Sequence, residues 1–288
     1  MKELVIISGK GGCGKTSVTG SFAALAQNAV LVDCDVDAPD LHILLDPEIQ
    51  QRTPFRSGFH AVAKPELCIH CGRCEELCRF DGVHLTEGKP VISPIHCEGC
   101  GLCVDQCPAE ALVLEEAECG EWYISTTAYG AMVHARLTPG RPNSGRLVSL
   151  VREEAKKLAT TQGLDLVLID GPPGIGCPVI ASVGGVTAAL VVTEPTPSGK
   201  HDLLRALKLL RHFGVPAWFC VNRADIHPEG ALTIRREAES AGATHAGDIR
   251  YDQAVTTCQY EGRPVSACAN SPAAEDIRCL WNTLNKEL

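Results

Sequence analysis

Eight cysteines crowd into residues 68–107, and a chain can fold such a window only by deciding what its thiols bind. They form two runs, Cys68-x2-Cys71-x2-Cys74-x3-Cys78 and Cys97-x2-Cys100-x2-Cys103-x3-Cys107, with Pro108 after the second. The second run repeats the first at an offset of 29 residues, so 68–83 and 97–112 are an internal duplication. The other eight of the 16 cysteines are scattered. A disulfide-stapled secreted domain is short and carries cysteine throughout. Here the start, MKELVIISGKGG, runs a four-residue apolar stretch almost straight into glycines and lacks the pattern of a signal peptide. The longest weakly polar run, 179–193, is broken by Ser182, Gly184, Gly185 and Thr187 and is too short to span a membrane. The sequence therefore predicts a cytoplasmic protein whose clustered cysteines hold metal.

Soft thiolates at this density select iron–sulfur clusters or zinc. Zinc sites pair two C-x2-C units, whereas each run here has three evenly spaced cysteines and a fourth. This is the bacterial ferredoxin spacing, in which the fourth cysteine of each run ligates the other cluster. It predicts two 4Fe–4S clusters, one on Cys68, Cys71, Cys74 and Cys107 and the other on Cys97, Cys100, Cys103 and Cys78. His70 and His96 then read as surface residues, and Arg79 stands where proline often follows such a run. Residues 61–115 carry 4 Lys and Arg against 9 Asp and Glu, hence −5 of the chain's net −9. That acidic balance argues against a nucleic-acid surface, and a 45% hydrophobic composition excludes a disordered chain.

Outside this block, short continuous apolar runs (3–7, 29–33, 165–170, 188–193, 215–221) alternate with helical patterns at 15–27, 199–212 and 230–241, closing with 273–287. Such strands imply a parallel sheet covered on both faces. The 288 residues thus divide into a discontinuous α/β domain, 1–60 and 116–288, and an insert, 61–115. Residues 116–150 read as strands and loops returning the chain to the main fold. Cys13, Cys34 and Cys220 read as small buried hydrophobes, Cys258, Cys268 and Cys279 as isolated residues, and Cys177 comes just after the Asp170-Gly171-Pro172-Pro173-Gly174-Ile175-Gly176 segment.

Gly9-Lys10-Gly11-Gly12-Cys13-Gly14-Lys15-Thr16-Ser17 follows the first strand and opens the first helix. Glycines let successive N–H groups turn inward toward phosphate oxygens, and the helix N-terminus adds partial positive charge. Lys15 can reach the outer phosphates and the Thr16 hydroxyl can ligate Mg²⁺. Asp33-Cys34-Asp35-Val36-Asp37 and Asp170-Gly171-Pro172-Pro173-Gly174 lie at strand ends, where parallel sheets deliver functional groups.

The extra Lys10 in K-G-G-x-G-K-T resembles the deviant phosphate loop of the MinD/ParA/Mrp superfamily, which includes the nitrogenase iron protein. The resemblance covers most of the chain outside the insert; together they resemble the superfamily's ATPases with an inserted 2×4Fe–4S ferredoxin. It implies a mostly parallel α/β P-loop fold with a small α+β ferredoxin domain inserted. It also implies a Mg-ATP-dependent ATPase, a homodimer or a heterodimer with a related ATPase, with Lys10 reaching across to the partner's nucleotide. By the same resemblance Asp35 orients the attacking water, Asp170 holds Mg²⁺ through water, and Asn222 and Arg223 bind the base. The Asn222-Arg223-Ala224-Asp225 pattern is also how related GTPases read guanine; the resemblance implies ATP. The implied role is nucleotide-gated electron transfer or metallocluster delivery to a redox or metallocluster protein. Two alternatives are a cluster-assembly carrier and a ParA-like positioning or regulatory ATPase with sensor or structural clusters. Residues 273–288 lack the basic amphipathic tail of MinD, so no membrane is expected as a partner, and the acidic balance leaves no nucleic acid expected either.

Overall fold

Apolar β-branched runs this short become strands when both faces are covered, and the chain follows that rule. The computed structural model describes residues 1–26 and 28–288. Its strands are β1 (Lys2–Ser8), β2 (Ala29–Asp33), β3 (Glu48–Ala63), β4 (Val83–Thr86), β5 (Lys89–Ile92) and β6 (Leu112–Thr127). They continue as β7 (Gly130–Leu137), β8 (Leu166–Pro173), β9 (Ala188–Thr193), β10 (Ala217–Asn222) and β11 (Thr244–Ile249). One sheet has the order β11-β10-β9-β1-β8-β2-β7-β6-β3, and β4 and β5 pair separately as an antiparallel hairpin. Every pairing from β11 through to β7 is parallel. β6 and β7 are joined by Ala128 and Tyr129 alone, a connection only antiparallel neighbours can make.

The chain forms two compact units: Met1–Thr53 with Trp122–Arg136 and Ser144–Leu288, and Pro54–Glu121 with Leu137–Asn143. It leaves the first within β3 and returns to it within β6.

In the first unit, Leu4, Val5, Ile6 and Ile7 of β1 and Val167, Leu168 and Ile169 of β8 are completely buried. The helices begin where local chemistry dictates. Thr196 accepts the Gly199 N–H to open Pro197–His212, and Ser271 accepts that of Ala274 to open Pro272–Glu287. The former starts at its proline, two residues before the apolar periodicity alone implied. The helix expected over 15–27 runs Lys15–Leu25, and Gln27 lies outside the described residues.

The segment expected to be strands and loops holds, besides β6 and β7, the start of a nineteen-residue helix, Ser144–Gln162. Its core stripe of Leu147, Val148, Val151, Ala155 and Ala159 includes Arg152. Arg152 is buried, donates to Glu3 Oε1 at 3.0 Å, and donates to the carbonyls of Ala181 and Gly184 at 2.6 and 3.0 Å. Among the described residues, replacing Arg152 with alanine leaves the buried Glu3 carboxylate with only the partly exposed Lys156 as an ion-pair partner. The expected cost is about 3–5 kcal/mol of stability, read as a fall in the urea midpoint; a loss below about 1 kcal/mol would contradict it. Two further strands, the largely polar β3 and β11, carried no recognisable period.

Cys258 and Cys268, read from sequence as isolated, form a disulfide. Helix Gln253–Tyr260 and the turn Val265–Ala267 fold both residues into the core, a proximity that spacing alone does not reveal. Among the described residues no helix is long and apolar enough to cross a membrane.

The second unit shows its duplication in the backbone. His70 and Gly99, Gly72 and Gly101, and Asp81 and Glu110 are pairs 29 residues apart, all with positive φ. Gly72 and Gly101 precede the short helices Arg73–Leu77 and Leu102–Asp105. At Gly99 (φ +64°) a Cβ would stand 1.9 Å from the Phe59 carbonyl oxygen, so only glycine fits.

Candidate functional site

The carboxyl ends of β1, β2, β8, β9 and β10 meet at one edge of the first unit's sheet, and the phosphate loop springs from β1 there. Gly12 and Gly14 take φ of +83° and +90°, and a Cβ on Gly14 would strike Asn222 Nδ2 at 2.4 Å. Asn222 Nδ2 in turn donates to the Cys13 carbonyl at 2.9 Å, pinning the loop to the end of β10. Cys13 itself is buried, and burial pushes its thiol up to about 11, so it sits in the loop as a small apolar residue.

Asp170 is the organising carboxylate. It is completely buried, and Lys15 Nζ and Thr16 Oγ1 both donate to its Oδ2 at 2.9 Å. Thr19 Oγ1 donates to Oδ1 at 2.8 Å. Asp33 lies opposite Asp170 in the register of β2 and β8, and accepts the N–H groups of Asp35 and Leu41. Asp35 Oδ2 stands 4.0 Å from Lys15 Nζ. One ammonium thus faces three carboxylates. Burial works to lower Lys15, but Asp170, Asp33 and Asp35 outweigh it and hold the ammonium charged. Burial, reinforced by Asp170, pushes Asp33 well above the usual carboxylate range. Burial raises Asp35 to about 6, with Lys15 opposing and Asp170 adding to the rise.

Beside this cluster opens a cavity of about 460 Å³ lined by Gly12, Gly14, Lys15, Thr16 and Ser17 of the loop and by Asp35, Asn222 and Arg223. Its far wall, Arg250, Tyr251, Asp252 and Gln259, was not anticipated. Tyr251 N–H donates to Asp225 Oδ1 at 2.7 Å and Gln259 Nε2 donates to Ser17 Oγ at 2.7 Å. Asp225 therefore anchors that wall. Asp33 and Thr19 were also missed as members of the cluster; Asp33 had a signal, an acidic residue ending a buried strand. Lys10 is placed apart: its Nζ pairs with Glu194 Oε2 at 3.2 Å, and it does not line the cavity. The donor set suits Mg²⁺ with a polyphosphate, since the Thr16 hydroxyl, the Asp35 carboxyl and the Lys15 ammonium line the cavity beside the loop glycines, with the Asp170 carboxylate directly behind Lys15 and Thr16.

In the second unit, Cys68, Cys71, Cys74 and Cys107 line one small cavity. Cys103 is raised to about 11 by burial first and then by the neighbouring thiols of Cys97, Cys100 and Cys78. Four backbone N–H groups donate to cysteine sulfurs: His70 to Cys68, Ala61 to Cys97, Gly82 to Cys78 and Ala111 to Cys107, at 3.2–3.5 Å. The last two are equivalent across the duplication. N–H···S bonds of this kind stabilise thiolates and tune cluster potentials, so the donor set fits iron–sulfur ligation. Among the described residues no three or more His, Cys, Asp or Glu side chains surround one metal-ion position. A four-iron cube, with a thiolate at each corner iron, needs a wider arrangement than a single ion.

A model of the CobQ/CobB/MinD/ParA nucleotide binding domain matches residues 4–265. An uncharacterized protein of Methanocaldococcus jannaschii is 36% identical over 217 residues, 74% of this chain and 75% of that one. An iron-sulfur cluster carrier protein of Pyrococcus horikoshii is 22% identical over 306 residues, 99% of this chain and 86% of its own. The septum site-determining protein MinD complexed with Mg-ADP from the same organism aligns structurally with a TM-score of 0.61. That match, at 16% identity, covers 99% of this chain and 96% of that one. The fold is the MinD-like parallel α/β fold.

Proposed function

The chain belongs to the CobQ/CobB/MinD/ParA nucleotide-binding family, and from that premise we propose that it is a Mg-ATP-dependent iron–sulfur ATPase. In this reading nucleotide-driven switching of a dimer gates electron transfer, or delivery of a metallocluster, to a partner protein. The observation that carries it is the convergence of Lys15 and Thr16, which line the loop's cavity, on one oxygen of the buried Asp170 behind them, in a chain with eight paired-run cysteines.

The loop N–H groups and Lys15 bind and neutralise the phosphates, and Asn222 and Arg223 meet the base. Asp35, with its carboxyl near 6, is suited to orient water and draw its proton near neutral pH. Thr16 and Asp170 would hold Mg²⁺, which supplies charge neutralisation on the phosphate oxygens. Cys68, Cys71, Cys74 and Cys107 would hold one 4Fe–4S cluster and Cys97, Cys100, Cys103 and Cys78 the other, supplying one-electron redox capacity. Lys10, by resemblance, serves the partner's nucleotide.

Under anaerobic conditions ATP, and not ADP, is expected to shift a cluster potential. Unchanged potentials together with unchanged reduction of a partner, captured with ATP on an Asp35→Ala variant, would sink the coupling. The likeness to an iron-sulfur cluster carrier favours a second reading, in which clusters themselves are handed on. Labelled iron passing to an apo-acceptor, and failing to pass from a Lys15→Ala variant, would select it. Normal ATP cycling and partner binding in Cys68→Ser and Cys97→Ser variants would instead mark the clusters as sensors or structural elements.

A further inference from the structure

We propose that Glu194 is a positioning residue for Lys10, holding that lysine outside its own nucleotide cavity in the single chain. This rests on the dimer reading above and adds its control: dimer closure must first take Lys10 from Glu194.

Glu194 directly follows β9 and is largely buried, its side chain 14% exposed. One of its oxygens pairs with Lys10 Nζ at 3.2 Å, and the other accepts from Arg223 Nη1 at 2.7 Å. Two residues that the sequence assigns to nucleotide are therefore joined through a carboxylate that it does not. The backbone around Lys10 is tied to its surroundings. Ser8 Oγ donates to the Lys10 carbonyl at 2.7 Å, and a Cβ on Gly9 would fall 2.4–2.7 Å from atoms of Asp202. The lysine side chain itself is a third exposed.

Arg223 makes the exchange feasible. A buried carboxylate stripped of its only cation costs several kcal/mol, but Glu194 keeps Arg223 when Lys10 departs. The pair with Lys10 is partly exposed, so its bias is of the few-fold kind such pairs show. A binding-competent form populated at fraction f weakens apparent affinity by that fraction. A dimer uses two Lys10 arms, so the bias counts twice, and a threefold restraint per chain becomes about tenfold in dimer affinity.

The test compares Glu194→Gln with its parent in an Asp35→Ala background that holds ATP. Dimerisation is followed by analytical ultracentrifugation over a range of protein concentrations, and single-chain affinity by ADP titration. Glutamine keeps a hydrogen-bond acceptor for Arg223 while removing the charge that detains Lys10. The half-dimer concentration is expected to fall about tenfold, with ADP affinity within about twofold of the parent. An unchanged or higher half-dimer concentration overturns the proposal. So does a parallel loss of ADP affinity, which marks Glu194 as merely structural. Should the glutamine variant fold poorly, Glu194→Asp, whose shorter arm draws the carboxylate back from Lys10, must shift dimerisation in the same direction. A parent that stays monomeric with ATP at every concentration overturns the dimer reading itself, and this control with it.

Discussion

Replacing Lys15 with alanine is expected to reduce ATP hydrolysis at least about a hundredfold, the scale on which a preorganised charge at a developing anion is lost. It should also change the stability of the protein before any nucleotide binds. Among the described residues Lys15 is the one cation hydrogen-bonded to Asp170, and it also offsets Asp33 and Asp35. Its removal leaves buried carboxylates uncompensated, at about 3–5 kcal/mol if all stay ionised. They need not stay ionised, and the sign follows from proton binding. Asp33 is already raised, and Asp35 stands near 6. Without the ammonium the carboxyls rise further, so the folded state holds more protons than the unfolded state over neutral pH. Stability then falls as pH rises. The deficit of the variant against its parent is therefore expected to be small near pH 6 and to widen toward about pH 8.5. Urea unfolding at the two pH values in magnesium-free buffer measures it; a deficit that narrows with rising pH contradicts the charge arrangement.

Serine at Cys107 and serine at Cys68 are expected to remove the same cluster, although 39 positions separate them, whereas Cys78→Ser should remove the other. Each single variant, reconstituted anaerobically, should retain about half the iron and labile sulfide of the parent, because in the proposed pairing each four-iron cluster has its own four thiolates. A Cys68→Ser/Cys107→Ser double variant should lose no more than either single one. A Cys78→Ser/Cys107→Ser variant should lose nearly all. The basis is that Cys107 lines the cavity of Cys68, Cys71 and Cys74, while Cys78 neighbours Cys103 with Cys97 and Cys100. Additive loss in the Cys68→Ser/Cys107→Ser protein would show that each run serves its own cluster.

Much of the arrangement was legible without coordinates. The strands of the α/β domain announced themselves because a strand covered on both faces must be apolar throughout. The Ser144–Gln162 helix escaped notice because Arg152 sits among its apolar positions, partnered by Glu3 at the far end of the sequence. β3 escaped because its residues are mostly exposed and show no alternation. The disulfide escaped because Cys258 and Cys268 meet only through folding into the core.

The sequence by itself determined the local chemistry: a phosphate loop of nine residues and two cysteine runs with the spacing of iron–sulfur ligands. The loop and the first three cysteines of each run lie within a few residues of one another, so there the geometry is written into the interval between side chains. Tertiary structure alone decided the charge arrangement around them. Asp33 faces Asp170 because β2 lies beside β8, and Lys10 meets Glu194 because β9 lies beside β1. Sheet order is set by how helices cover both faces of all the strands together, and no interval along the chain encodes it.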